Sequence, residues 1–319
     1  MPRAIRFHTY GDLDVLRVDD VPRPEPADNQ VLVQVVAAGI NPGEIAIRTG
    51  ALHERWPATF PSGEGSDLAG RVVTAGSSVT GFRPGDEVIG WSDARSSHAD
   101  FVVVNADHLT PKPLALDWIR AGGLFVVGVT AYAAVRAVAP KPGETVAVGG
   151  AAGGVGSLTV QLAREAGARV VGIAGERNAG WLRSVGVTPV TYGDGLADRL
   201  RAAAPDGVDA FIDTYGQGYV DLAVELGVAP DRIDTIIDYP AAARHGAKTE
   251  GSSTASSADV LARMAELLAW GTIVMPIAAV YPLAGVREAY AELADRHTRG
   301  KIVLSMELPD NAGRQGPAA

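Results

Sequence analysis

The apolar residues near the middle of the chain change their spacing twice within one short stretch. Thr145 to Val148 is a short, largely β-branched run of the kind found in buried strands. A segment rich in Gly and Ala, residues 151–156, follows it, and a second strand-like run covers Arg169 to Ala174. Before that second run, apolar residues recur at three- and four-residue spacing: Val155, Leu158, Leu162 and Ala166. The pattern predicts strand, glycine turn, helix and strand, which is the order of a βαβ unit.

The residues before about position 110 combine many Pro and Gly residues with short β-branched runs. Runs of this kind, separated by turn-forming residues, predict a compact β-rich unit. The runs are Val31–Val36, Arg71–Ala75, Glu87–Gly90 and Phe101–Val104.

After Trp118 helical and strand-like patterns alternate, which predicts a doubly wound parallel sheet. The predicted helices cover residues 119–138, 179–185, 196–204 and 259–270, and the further strands cover residues 208–213 and 232–237. Residues 252–258 form a small polar run that we expect to be a loop.

A short tail follows, with a helix predicted near residues 285–297 and a strand at 301–306. A chain of 319 residues with 47% hydrophobic residues is long enough for two cores, but this tail alone is too short for a domain. We therefore expect one domain from residues 1–118, completed by residues 273–319, and a second domain from residues 119–272.

Charge argues against two classes of partner. The formal net charge is −9, and the 28 Lys and Arg residues are dispersed rather than clustered. Nucleic acids and anionic membrane surfaces are bound mainly through clustered basic residues. We therefore expect a small-molecule substrate, with neither nucleic acid nor membrane as a partner.

The chain has no cysteine, which excludes disulfides, thiolate metal ligands and a cysteine nucleophile. Residues 1–10 lack the apolar core of a secretory signal, and no segment approaches the roughly 20 apolar residues of a membrane span. We expect a cytoplasmic protein.

The glycine turn after Val148 predicts a site for the pyrophosphate of a dinucleotide. Gly153 would let the backbone approach the phosphates, Gly156 would let the helix pack closely on the strand, and the helix N-terminus would supply unpaired N–H donors. The sequence departs from G-x-G-x-x-G at the first position, which is Ala151. The residues that we expect to contact the cofactor here are Ala152, Gly153, Gly154, Val155 and Gly156.

Several motifs occur in an order that resembles one protein family. They are GINPGEIAIRTG (39–50), GEGSDLAGRVVTAGSSVTGFRPGDEV (63–88), GVTAYAAV (128–135), AAGGVG (151–156) and RGKIVL (299–304). Together they resemble the zinc-independent quinone oxidoreductase (zeta-crystallin-like) branch of the medium-chain dehydrogenase/reductase superfamily. The resemblance implies an α/β fold with a Rossmann doubly wound parallel sheet and a GroES-like β-rich domain, an active site in the cleft between them, and often a homodimer.

The resemblance also implies that no catalytic zinc is bound. By motif alignment, Asn41 and Ser66 fall where the zinc-dependent relatives carry a Cys and a His ligand. Zinc sites use sulfur and imidazole nitrogen ligands, which these two side chains do not supply.

The residues after the second strand of the βαβ unit bear on the choice of cofactor. An acidic residue about 20 positions beyond the glycines would bind the ribose 2′-hydroxyl of NADH, but that count reaches Ala174, followed by Gly175. Arg177 could pair with the 2′-phosphate of NADPH, and Tyr192 matches a family position against the same phosphate. We therefore expect NADPH, with Glu176 opposing it if its carboxylate faces the ribose and neutral to the choice if it faces solvent.

The resemblance implies roles for three residues near the substrate. Asn41 lies near the nicotinamide and substrate in the family, and Glu44 corresponds to an acidic position that orients the site or acts as general acid. His53 lies in a loop where relatives often carry a substrate-facing side chain, and it would act as proton donor. The alternatives are an Asn in a turn before Pro for Asn41 and an exposed loop residue for His53.

Four further residues are expected to meet the cofactor. Thr130 occupies a family contact position, with a purely structural helix residue as the alternative. The backbone of Ile237 and Asp238 would meet the nicotinamide amide, and Lys301 would approach from the returning tail unless it is a solvated lysine at the start of a strand.

Quinones and conjugated enones fit hydride transfer without a metal, because negative charge spreads through the conjugated acceptor. The sequence therefore favours an NADPH-dependent reductase of quinones or α,β-unsaturated carbonyl compounds. Two alternatives stay open: an enoyl-thioester reductase, and a non-catalytic NADPH-binding protein with a crystallin-like or regulatory role.

Overall fold

The computed structural model describes residues 1–316, so residues 317–319 of the predicted tail lie outside the described residues. The chain divides into two compact units. Unit 1 contains residues 1–126, 257–272 and those from 276 onward, and unit 2 contains residues 127–256 and 273–275.

The strands are β1 (Arg3–Phe7), β2 (Arg17–Asp20), β3 (Gln30–Gly39), β4 (Ser62–Gly63), β5 (Asp67–Ala75), β6 (Glu87–Trp91), β7 (Phe101–Asn105), β8 (Leu109–Pro111), β9 (Thr145–Gly149), β10 (Arg169–Ala174), β11 (Thr188–Thr191), β12 (Ala210–Asp213), β13 (Ile233–Thr235), β14 (Ile277–Pro282) and β15 (Lys301–Ser305). The helices are α1 (Pro42–Arg48), α2 (Trp118–Gly122), α3 (Phe125–Val138), α4 (Gly154–Glu165), α5 (Ala179–Ser184), α6 (Leu196–Ala203), α7 (Tyr219–Glu225), α8 (Tyr239–His245), α9 (Ser252–Ala255), α10 (Ala258–Ala269) and α11 (Val286–Ala294).

Unit 2 is built on a parallel sheet with the strand order β11-β10-β9-β12-β13. Every residue of the central strand β9 is buried, as expected for a strand covered on both faces. Because the strands are parallel, the loops that follow them all begin at one edge of the sheet. The predicted Rossmann-type α/β fold is confirmed.

Unit 1 is largely antiparallel, with β15 inserted between β14 and β3. The sheet continues from β3 through β5 and β6 to β8, while β7 also pairs with β3. A separate antiparallel sheet has the order β2-β1-β4. The C-terminal strand therefore completes a sheet whose other members come mostly from the first 111 residues.

Three local features differ from the patterns in the sequence. Helix α10, expected with the nucleotide-binding domain, belongs to unit 1, because the apolar residues on one of its faces are buried as it packs on β6 and β8: Leu261, Met264, Ala265 and Leu268. The strand predicted to reach residue 237 ends at Thr235, because Asp238 caps the N-terminus of α8 by accepting a hydrogen bond from Ala241 N. The expected loop at 252–258 contains the short helix α9.

Within the described residues, no helix has both the length and the apolar character that a membrane span requires.

Candidate functional site

The turn between β9 and α4 is formed by a glycine one position earlier than the sequence motif suggested. Gly150 has φ +70°, a conformation that favours glycine, while the neighbouring Ala151 is fully buried and donates its N–H to Ile173 O of β10 at 3.0 Å. Ala151 is therefore a core residue. The sharp turn at the end of β9 does not need a glycine at position 151.

The two remaining motif glycines differ in what surrounds them. A Cβ atom built on Gly156 would lie 2.1 Å from Gly150 O, so that only glycine lets α4 approach the strand this closely. A Cβ atom on Gly153 would meet only Gly150 O, at 3.3 Å. Gly153 is also the N-cap of α4, where the first backbone N–H groups of the helix are available to an anion.

The residues that follow β10 place one acidic and one basic side chain at the same edge of the sheet. Glu176 and Arg177 are both exposed in a short turn after Ala174. The Glu176 carboxylate accepts a hydrogen bond from the Thr191 hydroxyl at 2.9 Å. Tyr192 follows β11, and a Cβ atom built on Gly175 would lie 3.4 Å from its hydroxyl oxygen.

A buried pair of polar residues, missed in the sequence, holds the loops after β12 and β13. The Asp213 carboxylate accepts hydrogen bonds from Tyr215 N at 2.9 Å, from Gly216 N at 2.8 Å and from the Thr235 hydroxyl at 2.7 Å. Burial raises the pKa of Asp213, and these hydrogen bonds oppose the shift. The only sequence signal was that both residues fall in predicted strands of the parallel sheet, and only Asp213 was predicted to end its strand.

The same edge of the sheet exposes apolar surface. Ile237 and Tyr239 follow β13 with 41% and 39% of their surface exposed, and Tyr192 has 51% exposed. The loop after β12 is also tied to the glycine turn, because the Thr214 hydroxyl donates to Gly149 O at 2.7 Å. Fixed loops that carry exposed apolar side chains can bind the flat rings of a ligand.

Thr130 and His53 were also predicted to be site residues. Thr130 is buried on α3, with 5% of its surface exposed. His53 is exposed in unit 1, and its ring contacts the Tyr10 ring edge-to-face at a centroid distance of 6.5 Å.

Unit 1 contains a buried polar cluster around Asn41 and Lys301. Lys301 Nζ donates hydrogen bonds to Asn41 Oδ1 at 2.8 Å, to Ile40 O at 2.9 Å and to Asp67 Oδ2 at 3.0 Å. Asn41 Nδ2 in turn donates to Glu44 Oε1 at 3.2 Å and to Asp67 Oδ2 at 3.3 Å. Lys301 is therefore not a solvated lysine, and the structure brings the predicted residues Asn41, Glu44 and Lys301 together.

Glu44 joins this cluster to a second buried group. Its carboxylate accepts hydrogen bonds from Asn41 N at 2.7 Å, from Ser66 N at 3.1 Å and from the Tyr290 hydroxyl at 2.6 Å. Burial, together with the nearby Glu44 and Glu64 carboxylates, raises the pKa of Tyr290. Asp67 and Tyr290 were missed in the sequence, where an acidic residue at the start of a strand and a tyrosine on a helix carry no distinctive signal.

An ion pair packs against the Tyr290 ring. Arg48 bonds to Glu64, and its guanidinium carbon lies 4.6 Å from the centre of the Tyr290 ring. Both charged side chains are buried, which requires pairing because an isolated buried charge is costly. This pair supports the ring that binds Glu44.

Two family models match the chain. Residues 27–143 match the alcohol dehydrogenase GroES-like domain, and residues 185–304 match the zinc-binding dehydrogenase family. These regions cover parts of both units.

Individual proteins are similar over longer or shorter parts of the chain. The quinone oxidoreductase of Mus musculus is 39% identical over 175 residues, so the alignment spans 54% of this chain and about half, 52%, of that protein. The NADPH-dependent alkenal/one oxidoreductase of Arabidopsis thaliana is 28% identical over 319 residues, 95% of this chain and 79% of that protein. The solved structure of the quinone oxidoreductase from Coxiella burnetii superimposes with a TM-score of 0.86 at 28% identity, covering 96% of this chain and 99% of that one.

The fold, the glycine turn and these similarities agree with the resemblance read from the motifs. The chain belongs to the quinone oxidoreductase branch of the medium-chain dehydrogenase/reductase superfamily.

Proposed function

We propose that the chain is a zinc-independent, NADPH-dependent reductase that transfers hydride to a quinone or an α,β-unsaturated carbonyl compound. The observation that carries the proposal is the turn of Gly150, Gly153 and Gly156 at the carboxyl edge of the parallel sheet. It combines a close helix–strand approach with an open position at the N-terminus of α4, the combination that a pyrophosphate requires. The names of the similar mouse and Arabidopsis proteins support the acceptor class.

The surroundings of Ala174 support NADPH over NADH. The strand β10 ends in Ala174, so its last position offers no carboxylate for a ribose 2′-hydroxyl. Glu176 accepts a hydrogen bond from the Thr191 hydroxyl on β11, and Arg177 brings an exposed guanidinium to the same turn. A guanidinium can bind a 2′-phosphate through paired hydrogen bonds.

The donor set around Asn41 does not fit a catalytic zinc ion. Asn41 Oδ1, Asp67 Oδ2 and Ile40 O already surround the Lys301 ammonium, and the one carboxylate among them, Asp67, is already paired with that cation. His98 is fully buried with Nε2 on Gly39 O, and burial lowers its pKa. Within the described residues, no group of three or more His, Asp or Glu side chains is arranged to hold a metal ion.

The residues of this chain then act by binding and orientation. A bound nicotinamide would supply the hydride, and the conjugated acceptor would spread the charge that develops on it. The Asp213–Thr235 pair fixes the loops after β12 and β13, and Ile237 in the second loop with Tyr239 at the start of α8 gives an exposed apolar surface for flat rings. Orientation of two reactants in this way lowers the barrier without a metal ion.

The decisive measurement is oxidation of NADPH and NADH, followed at 340 nm, with a quinone, an alkenal or alkenone, and an enoyl-CoA as acceptors. We expect turnover of quinones or enones with NADPH preferred. Turnover of enoyl-CoA alone would favour an enoyl-thioester reductase, and tight NADPH binding without turnover would favour a non-catalytic role. Light scattering would test the homodimer that we propose on the family resemblance, and cell fractionation would test the expected cytoplasmic location.

A further inference from the structure

Lys301 has the environment of a bound cation. An ammonium group has three N–H donors, and the three oxygens around Lys301 Nζ lie at 2.8, 2.9 and 3.0 Å. They come from the end of β3, from the residue that precedes α1 and from the start of β5. The side chain is 97% buried, so these protein oxygens take the place of its hydration shell.

Gly39 makes room for the lysine stem, and Gly123 lies in contact with it. A Cβ atom built on Gly39 would lie 2.9 Å from Lys301 Cε and 2.5 Å from Asp67 Oδ2. A Cβ atom on Gly123 would lie 3.4 Å from the same Cε. A residue larger than glycine at position 39 would therefore displace both the lysine and its carboxylate partner.

The remaining hydrogen bonds orient the oxygens toward the ammonium. Asn41 Nδ2 donates to Glu44 and to Asp67, which turns Asn41 Oδ1 toward Lys301. Asp67 Oδ1 accepts from Val126 N at 2.8 Å, which leaves Oδ2 on the lysine side. Asp67 is fully buried, so its charge needs a cation close by.

We propose that unit 1 contains an oxygen-lined cation site that is permanently filled by the Lys301 ammonium. This ammonium provides the positive charge that a bound ion would otherwise bring, and it neutralises the buried Asp67 carboxylate beside Asn41. That role is the same whichever acceptor the protein reduces. The proposal therefore stands apart from the proposed reaction, and its test does not require turnover.

The test is removal of the side chain and its replacement by a free cation. Lys301→Ala deletes the equivalent of n-propylammonium, whereas Lys301→Met keeps most of the stem and removes the charge. We expect both variants to have a lower Tm than the wild type. We expect 50 mM n-propylammonium chloride to restore at least half of the loss in Lys301→Ala, and to have no such effect on Lys301→Met or the wild type. Tetramethylammonium chloride at equal ionic strength is the control, because it carries charge but has no N–H donor.

A wild-type Tm in Lys301→Met would overturn the proposal, since the charge would then be dispensable. Equal rescue of Lys301→Ala by the two salts would also overturn it. If Lys301→Ala does not fold, the double variant Asp67→Asn/Lys301→Met decides the question. The proposal requires it to have a higher Tm than Lys301→Met, because the unpaired buried carboxylate is removed, and an equal or lower Tm would contradict the proposal.

Discussion

The Thr235 hydroxyl links two loops of the parallel sheet through a single oxygen atom. It donates to Asp213 at 2.7 Å and accepts the backbone N–H groups of Ile237 at 3.3 Å and Asp238 at 3.0 Å. Asp213 in turn accepts two N–H groups of its own loop. The backbone after β12 and the backbone after β13 therefore share one buried support.

Thr235→Val should weaken NADPH binding by about tenfold, or ~1.4 kcal/mol. Valine keeps the shape of threonine but removes the hydroxyl that bonds to Asp213 Oδ2 and to two backbone N–H groups, while Asp213 Oδ1 keeps its two backbone donors. Binding of 2′,5′-ADP, which lacks the nicotinamide, should stay unchanged, and calorimetry measures both. Thr159→Val is the matched control, because that buried hydroxyl donates to Val155 O within its own helix. Equal losses for NADPH and 2′,5′-ADP would contradict a role specific to the nicotinamide half.

Alanine at the two glycines of the α4 turn should separate folding from binding. Gly156→Ala places a methyl group 2.1 Å from Gly150 O and should destabilise folding by about 1–3 kcal/mol. Gly153→Ala meets that oxygen at 3.3 Å and should stay within about 1 kcal/mol of the wild type while losing at least about tenfold in NADPH affinity. Urea unfolding and fluorescence titration measure the two effects. Unchanged NADPH affinity in Gly153→Ala would count against the pyrophosphate site.

Arg177→Gln should reduce the preference for NADPH over NADH. Loss of a charge-assisted pair with the 2′-phosphate predicts a decrease of about tenfold in NADPH affinity with NADH affinity unchanged. Arg183→Gln, an exposed arginine on the neighbouring helix α5, serves as the control for net charge. A parallel decrease for both cofactors would show that Arg177 does not read the 2′-phosphate.

Asp234 should make folding stability depend on pH. Burial raises its pKa from 3.8 to about 7, and its Oδ2 is buried with no hydrogen-bond partner among the described residues. The folded chain thus keeps this proton up to about pH 7, whereas the unfolded chain releases it near pH 4. The contribution of Asp234 to the free energy of unfolding is therefore complete below pH 4. It decreases by up to roughly 4 kcal/mol as the pH rises to about 7.

Asp234→Asn should remove this pH dependence and be more stable than the wild type at pH 8. Urea unfolding between pH 4 and pH 8 measures the free energy of unfolding of both proteins. Asp206→Asn, at an exposed site, is the control. A wild-type slope in Asp234→Asn would mean that another group causes the pH dependence.

The sequence was sufficient for the βαβ unit, because strand, turn and helix follow one another and their periodicities are local. It located Gly153 and Gly156 by spacing alone. It did not reveal that Gly150 makes the turn, since a positive φ leaves no mark in a run of small residues.

The environment of Lys301 could not be predicted from local sequence patterns. The motif RGK drew attention to it, but its spacing could not show that the side chain is buried between Gly39 and Gly123. Its partners Asn41 and Asp67 are more than 230 positions away in the chain. Contacts between such distant residues depend on the pairing of β15 with β3, which local patterns do not specify.

The insertion of β15 between β14 and β3 has a consequence for the order of events during synthesis. Residues 30–111 supply most of the strands of that sheet, but Asp67 meets its cation only when residue 301 has left the ribosome. Unit 2, which ends at residue 275, can be complete before then. The N-terminal strands of the chain are therefore expected to be among the last to reach their native packing.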